Sequence, residues 1–127
     1  MCGFCGFTGA LADRETFLKQ MTEKITHRGP DSDGYFVDDG IAMGFRRLSI
    51  IDLEAGHQPL YNEDKTLVLT FNGEIYNYRA LREQLLAAGH IFATESDSEV
   101  LLHGFEEWGE ALPTKLRGMF GFAIWNT

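Results

Sequence analysis

Short apolar segments separated by glycine-containing turns most constrain the fold of this chain. Residues 3–8 (GFCGFT) and 118–125 (GMFGFAIW) are predicted to be buried strands, and 66–71 (TLVLTF) a further strand. The remaining predicted strands are 35–38, 41–45 and 47–52. The sequence DDG at 38–40 is typical of a hairpin turn between two of them.

Helical periodicity predicts three amphipathic helices between these strands. The first covers 14–26 and places four apolar side chains on one face: Phe17, Leu18, Met21 and Ile25. The second covers 78–88, with three leucines facing inward: Leu81, Leu85 and Leu86. Ser96 and Glu99 form a capping-box pattern at the start of the third helix. Its apolar residues are Val100, Leu101, Phe105 and Trp108.

Composition narrows the partners that the chain can bind. The formal net charge is −8, and no basic patch is available to neutralise phosphates, which argues against nucleic acid and an anionic membrane surface. No stretch approaches the roughly 20 apolar residues of a membrane span. The N-terminus lacks the pattern of a signal peptide, so a cytoplasmic location is expected.

The cysteine at the second position is the first candidate for chemistry. Removal of Met1 would give Cys2 a free α-amine beside its thiol. The ordinary pKa of an α-amine is about 7.7–8.0 and that of a thiol is about 8.5. The residue would then carry nucleophile and base together, as N-terminal nucleophiles do. The alternative from position alone is a small apolar filler.

Cys2 and Cys5 also form a CxxC, which raises a metal or redox module as an alternative. Residues three apart on a strand point to opposite faces, so the two thiols should diverge, and Cys5 is interpreted as a buried packing residue. The four histidines are scattered along the sequence: 27, 57, 90 and 103. The sequence therefore predicts no metal site.

Five further segments follow MCGF in a fixed order. They are HRGPDSDG at 27–34, RRLSIID at 46–52, NGEIYNYRALR at 72–82, SDSEV at 96–100 and GMFGFAIW at 118–125. This ordered set resembles the glutaminase domain of glutamine-hydrolysing asparagine synthetases, which are class II amidotransferases. Leu48 after Arg47, together with QPLYN at 58–62, favours this branch over other class II enzymes. Related asparagine-synthetase-like amidotransferases share these motifs and stay open as an alternative.

The resemblance implies an α+β fold of the Ntn-hydrolase type, a four-layer αββα sandwich of antiparallel sheets. Residues 1–127 would form the N-terminal part of the amidotransferase domain, incomplete at the C-terminus, with the synthetase domain absent. The implied substrate is glutamine, hydrolysed to glutamate and ammonia for ATP-dependent amidation of aspartate. No cofactor is expected here, because ATP and magnesium would bind the absent domain. The family also allows a homodimer.

The resemblance further implies a role for each matching residue. Cys2 would attack the glutamine amide, while the Asn72 side chain and the Gly73 N–H would stabilise the oxyanion. Arg47 would pair with the α-carboxylate, and Asp97 would receive the α-ammonium. The other residues implied to bind substrate are Leu48, Ser49, Ile50, Ile51, Gly73 and Glu74.

Simpler interpretations of the same residues remain. Arg46 and Arg47 are equally typical of solvated charges on a strand, and Asp97 of a helix start. Asn72 and Gly73 fit a type I′ hairpin turn. By resemblance, His27 belongs to a structural loop rather than to the catalytic groups, with Arg28 and Asp31 as internal partners. The competing function is a catalytically silent fragment or interaction module of the same fold.

Overall fold

The structure, a computed structural model, describes residues 2–48 and 57–127. Its strands are β1 (Gly3–Thr8), β2 (Ser32–Val37), β3 (Ile41–Arg47), β4 (Leu60–Tyr61), β5 (Leu67–Ile75) and β6 (Gly118–Asn126). Its α-helices are α1 (Arg14–Lys24), α2 (Tyr78–Ala87), α3 (Asp97–Trp108) and α4 (Leu112–Lys115). Short 3₁₀ turns cover Thr26–Arg28 and Gly109–Ala111.

The first sheet is antiparallel and three-stranded, in the order β1-β3-β2. Helix α1 packs on one face of this sheet. Leu18 and Thr22 are the buried residues of α1, and the Thr22 hydroxyl lies 3.5 Å from the Cys5 sulfur. Gly44 pairs with Cys5 in β3, and glycine suits this position because an added Cβ would overlap the Thr22 hydroxyl.

The second sheet is also antiparallel, in the order β4-β5-β6. One face of its central strand, β5, packs on α2 and α3. Leu69, Phe71 and Ile75 on this face belong to the main hydrophobic core. That core also contains Leu81, Leu85, Val100, Leu101, Leu102, Leu112 and Leu116.

The opposite face of β5 lies against the first sheet. Val68 and Thr70 on this face are fully buried, and β5 contacts both β1 and β3. The layers are therefore α1, first sheet, second sheet, and α2 with α3. This confirms the predicted α+β, four-layer αββα sandwich of antiparallel sheets. Within the described ranges, no helix combines the length and apolar character needed to cross a bilayer.

The predicted hairpin turn is confirmed. The Asp38 carboxylate accepts hydrogen bonds from the N–H groups of Gly40 and Ile41 at 2.8 and 2.9 Å, which closes the link between β2 and β3. Its other oxygen accepts a hydrogen bond from the Trp125 indole at 2.8 Å. The turn thus ties the first sheet to β6.

Several local predictions differ from the structure. Two strands are predicted at 41–45 and 47–52, but residues Ile41–Arg47 form one continuous strand, because its backbone pairs with β1 and β2. Residues 49–52 lie outside the described part. Leu86 and Phe17 are more than 40% exposed, since the helices bury narrower stripes than predicted. Strand β6, predicted to be buried, is largely exposed because it lies at an edge of its sheet.

The hairpin interpretation of Asn72 and Gly73 is wrong. Both residues lie inside β5, where they pair with Gly121 and Phe120 of β6. The capping pattern at α3 is half right. The Ser96 hydroxyl accepts from the Ser98 N–H at 3.3 Å, as an N-cap should, but the Glu99 carboxylate instead accepts from the loop that precedes Ser96.

Candidate active site

A small cavity of about 150 Å³ opens between the start of β1, strand β5 and the start of α3. It is much smaller than the roughly 300–1,000 Å³ of pockets for drug-sized ligands, so it suits a ligand of amino-acid size. Its lining residues are Cys2, Gln58, Phe71, Asn72, Gly73, Ser96, Asp97 and Ser98. The cavity therefore joins four residues predicted for the site from three separate motifs.

Cys2 is held at the cavity by two backbone contacts. Its sulfur accepts a hydrogen bond from the Leu48 N–H at 3.3 Å, just beyond the end of β3. The Arg28 guanidinium donates to the Cys2 carbonyl at 3.1 Å. The sulfur also lies 3.8 Å from the Leu48 carbonyl, so the backbone of Leu48 fixes the position of the thiol at the cavity.

Cys5 faces the other way, toward α1, as strand alternation predicts. Its sulfur lies near Thr22, and both cysteines are free thiols. Cys5 is half-buried rather than fully buried, because it lies on β1, an edge strand of its sheet. Cys2 and Cys5 therefore have different surroundings, so a joint metal or redox role is not supported by their geometry.

Asn72 and Gly73 lie where β5 reaches the cavity. Gly73 has a φ of 141°, a left-handed conformation that favours glycine, and an added Cβ would overlap the Met119 carbonyl of β6. Among residues 2–48 and 57–127, no hydrogen-bond partner occupies the Asn72 side-chain amide. That amide is consequently available to a ligand in the cavity.

Gln58 fixes the backbone that leads into Asn72. Its side-chain oxygen accepts from the Phe71 N–H at 2.6 Å, and its side-chain nitrogen donates to the Phe71 carbonyl at 3.0 Å. The Gln58 side chain therefore makes the two hydrogen bonds to Phe71 that a neighbouring strand would make, just before β4 begins at Leu60. The sequence QPLYN at 58–62 does not predict this role, because the contact of Gln58 with Phe71 depends on the fold.

Asp97 begins α3 and faces the cavity. Its carboxylate accepts a hydrogen bond from the Ile75 N–H at 2.9 Å, which links α3 to the end of β5. Burial raises the pKa of Asp97 above its ordinary value, and the nearby Glu74 carboxylate adds to the increase. The hydrogen bond from Ile75 lowers the pKa but does not offset burial. A bound cation would relieve this unfavourable charge.

Three other predicted binding residues, Arg47, Leu48 and Glu74, are not among the residues that line the cavity. Glu74 is exposed and close enough to Asp97 to raise its pKa. Arg47 is buried, at 7% exposure, and strand alternation places it on the inter-sheet face with Phe45. Leu48 contacts the Cys2 sulfur through its backbone. The predicted residues Ser49, Ile50 and Ile51 lie outside the described residues.

The two neighbouring arginines have different environments. Arg46 donates to the Gly29 carbonyl at 2.8 Å and lies 3.5 Å from the Asp33 carboxylate, so it holds the 27–34 loop. Arg47 is buried, so the interpretation of both as solvated charges is wrong. His27 is exposed in a 3₁₀ turn and is not among the residues that line the cavity.

Ser96 and Ser98 also line the cavity and were not predicted as site residues. Their hydroxyl groups lie 2.6 Å apart at the start of α3. The capping pattern predicts a structural role for Ser96 at the start of α3. Its additional place in the cavity wall depends on where α3 starts in the fold.

Comparisons with known proteins agree with this geometry. A family model described as a glutamine amidotransferase domain matches residues 1–127. The chain is 56% identical to asparagine synthetase [glutamine-hydrolyzing] 1 of Bacillus subtilis, over 99% of this chain and 21% of that protein. It is 42% identical to asparagine synthetase [glutamine-hydrolyzing] 3 of Arabidopsis thaliana, over 100% of this chain and 22% of that one.

Solved structures support the fold assignment. The glutamine phosphoribosylpyrophosphate amidotransferase of B. subtilis superimposes with a TM-score of 0.54 at 29% identity, covering 71% of this chain and 22% of that one. A structure described as the allosteric regulatory enzyme of purine biosynthesis gives 0.53 at 30% identity, covering 69% and 22%. These are amidotransferases with the Ntn-hydrolase fold, so the predicted fold type is confirmed.

The chain belongs to the glutamine amidotransferase domain family. Within that family it is homologous to the glutaminase portion of the glutamine-hydrolysing asparagine synthetases. It spans about a fifth of the length of the curated relatives that it matches.

Gly73→Ala tests whether the backbone of β5 at the cavity requires glycine. Replacement by alanine should lower the free energy of unfolding by at least about 2 kcal/mol, because the left-handed φ is strained for alanine and the new Cβ meets the Met119 carbonyl. Gly121→Ala is the matched control: it lies opposite Asn72, has no heavy atom within 4 Å of an added Cβ, and should change stability by less than about 1 kcal/mol. Urea unfolding measures both, and equal losses would contradict the explanation.

Proposed function

We propose that this chain hydrolyses glutamine to glutamate and ammonia through a thioester on Cys2. The observation that carries the proposal is the single small cavity shared by Cys2, Asn72, Gly73 and Asp97. These residues supply a nucleophile, oxyanion donors and an anionic group within a space of amino-acid size. The larger concavity of about 290 Å³ beside α1 has no cysteine among its lining residues.

The nucleophile is activated by its own α-amine once Met1 has been removed. The neutral amine takes the thiol proton, and the thiolate attacks the side-chain amide carbon of glutamine. The Leu48 N–H donates to the sulfur at 3.3 Å and fixes its position for the attack. The contact from Arg28 to the Cys2 carbonyl keeps the residue at the cavity wall.

The attack places a negative charge on the amide oxygen. The side-chain amide of Asn72 and the N–H of Gly73 are the donors for this oxygen. Both belong to a strand whose backbone is held by Gln58 on one side and by β6 on the other. Such preorganised donors stabilise a developing charge without reorganisation.

The intermediate collapses when the carbon–nitrogen bond breaks and ammonia leaves with the proton held by the α-amine. Water then attacks the γ-glutamyl thioester, and the same oxyanion donors serve a second time. Glutamate is released and the Cys2 thiol is restored. These reaction steps need no metal or cofactor in this domain.

The α-ammonium and the α-carboxylate of glutamine each bind a residue of opposite charge. The Asp97 carboxylate, with Glu74 nearby, binds the α-ammonium, and Arg47 binds the α-carboxylate. The guanidinium fork of arginine matches two carboxylate oxygens. The raised pKa of Asp97 supports this assignment, since its buried charge lacks a counter-ion among the described residues.

We further propose that the ammonia serves the amidation of aspartate in a linked synthetase domain, where ATP and magnesium would bind. The support is the 56% identity to a glutamine-hydrolysing asparagine synthetase. A homodimer and a cytoplasmic location stay predictions. The alternative is a chain that keeps this fold without turnover, and the following experiment distinguishes the two.

Intact mass spectrometry after treatment with 6-diazo-5-oxo-norleucine tests the nucleophile. We expect loss of Met1 and one adduct, with nitrogen expelled as a carbon–sulfur bond forms at Cys2. Cys2→Ser should abolish the adduct, while Cys5→Ala should keep it because Cys5 faces α1. Retention of Met1 with no adduct would support the silent alternative.

Asn72→Ala tests the oxyanion donor. We expect kcat to fall about 100–1,000-fold while the affinity for glutamine stays within a few-fold, because the donor acts mainly on the charged intermediate. Asn126→Ala, an exposed residue at the end of β6, is the matched control and should leave both values unchanged. Equal loss of binding and turnover in Asn72→Ala would mean that Asn72 maintains the fold instead.

The raised pKa of Asp97 predicts how glutamine binding depends on pH. The ionised carboxylate binds the ammonium, so affinity should be full at neutral pH and fall as the pH drops through the raised pKa, above the ordinary value of about 3.9. The stabilising contribution of protonated Asp97 to the ligand-free fold has the opposite trend: it is present below about pH 3.9 and lost as the pH rises through the raised pKa.

Calorimetry in the Cys2→Ala background, which cannot turn over, measures this affinity. Asp97→Asn should weaken binding about 10–100-fold at neutral pH, in line with a charged hydrogen bond of about 1.5–3 kcal/mol, and should remove the acid-side decline. An unchanged pH profile in Asp97→Asn would assign the decline to another group.

A further inference from the structure

A cluster of two histidines and several carboxylates lies along α3, apart from the cavity that holds Cys2. His103 and Glu106 belong to α3, and His90 lies in the connection after α2. One ligand atom from each of the three residues lies within 4.8 Å of the others. The two imidazole rings have centroids 5.4 Å apart.

Each histidine is oriented by a carboxylate on its Nε2 side. The Nε2 of His103 lies 3.2 Å from the Glu99 carboxylate, and that of His90 lies 2.9 Å from the Glu107 carboxylate. Both rings therefore turn Nδ1 toward Glu106, whose two oxygens lie 3.7 Å from His103 and 3.8 Å from His90. Carboxylate–histidine pairs of this kind orient metal-binding imidazoles and raise their basicity.

The Nδ1 atom of His103 gives an independent indication of a ligand. His103 is only 2% exposed, and its Nδ1 is buried with no hydrogen-bond partner in the described part of the chain. The nearest carboxylate oxygens, on Glu63 and Glu106, lie 3.7 Å away, beyond hydrogen-bond distance. Buried polar atoms are nearly always satisfied, and a cation between Nδ1 and these oxygens would satisfy this one.

We propose that His90, His103 and Glu106 bind a divalent transition metal, with zinc as the best match. Two imidazole nitrogens and a carboxylate form a zinc ligand set, and Glu63 is available as a fourth ligand. Zinc bonds of about 2.0–2.2 Å place tetrahedral ligands about 3.3–3.6 Å apart. The separations of 3.7 and 3.8 Å from Glu106 are close to these values, whereas the widest separation among the three ligand atoms, 4.8 Å, must contract by about 1 Å, through side-chain rotation of His90 and Glu106, when the metal binds.

The proposed site is structural. None of its residues lines the cavity, and its ligands join three parts of the fold: the connection after α2, helix α3, and the turn between β4 and β5 that carries Glu63. Asp97 begins the same helix. The metal would therefore hold α3, and with it one wall of the cavity, against the second sheet.

Zinc titration of metal-free protein tests the site, in a Cys2→Ser background that removes the half-buried thiol at the cavity as a competing ligand. We expect one equivalent to bind and to raise Tm, because the metal binds the folded state. His90→Gln and Glu106→Gln should abolish the Tm shift and weaken binding more than 100-fold. Both residues are partly exposed, so these variants should fold, whereas the buried His103 is left unchanged.

Matched controls separate a built site from surface binding. His27→Gln and Glu110→Gln alter exposed residues and should keep full affinity. Glu107→Gln should weaken zinc about 10–100-fold, the usual effect of losing an orienting partner. The proposal is overturned if zinc fails to bind, or if His90→Gln and Glu106→Gln bind it as the parent does. In that case the cluster is a hydrogen-bonded charge network without metal.

Discussion

Burial of strand β5 on both faces is the constraint on which the rest of the structure depends. One face carries Leu69 and Phe71 into the core with α2 and α3, and the other places Val68 and Thr70 against the first sheet. A strand buried in this way cannot slip by one residue, because a slip would exchange its two faces. The position of Asn72 and Gly73 relative to β1 is therefore set by the core.

The candidate site uses the places where regular pairing stops. Cys2 precedes β1, Leu48 follows β3, and the side chain of Gln58 replaces a missing strand beside Phe71. The Leu48 N–H donates to the Cys2 sulfur instead of to a strand, and the Gln58 amide bonds both backbone groups of Phe71. The cavity thus obtains hydrogen-bond donors from the fold itself, while Asp97 adds charge.

Helix α3 connects the site with the rest of the molecule. Its first residue, Asp97, faces the cavity, and its second half carries His103 and Glu106 in the proposed zinc site. Burial opposes ionisation of Glu99, but hydrogen bonds from Thr94, Ala93 and His103 outweigh it and keep its pKa below the usual value. The helix is therefore held by charged contacts at its start as well as by its leucines.

The sequence by itself determined the element types, the αββα class by resemblance, and the opposite directions of Cys2 and Cys5. These follow from local periodicity and from an ordered set of motifs. Only the tertiary structure decided that Asn72 and Gly73 lie in a strand, because pairing with β6 is a long-range contact that overrides their turn preference. Only the fold brought His90 next to His103, residues that look scattered along the chain, since helix packing rather than spacing sets their distance.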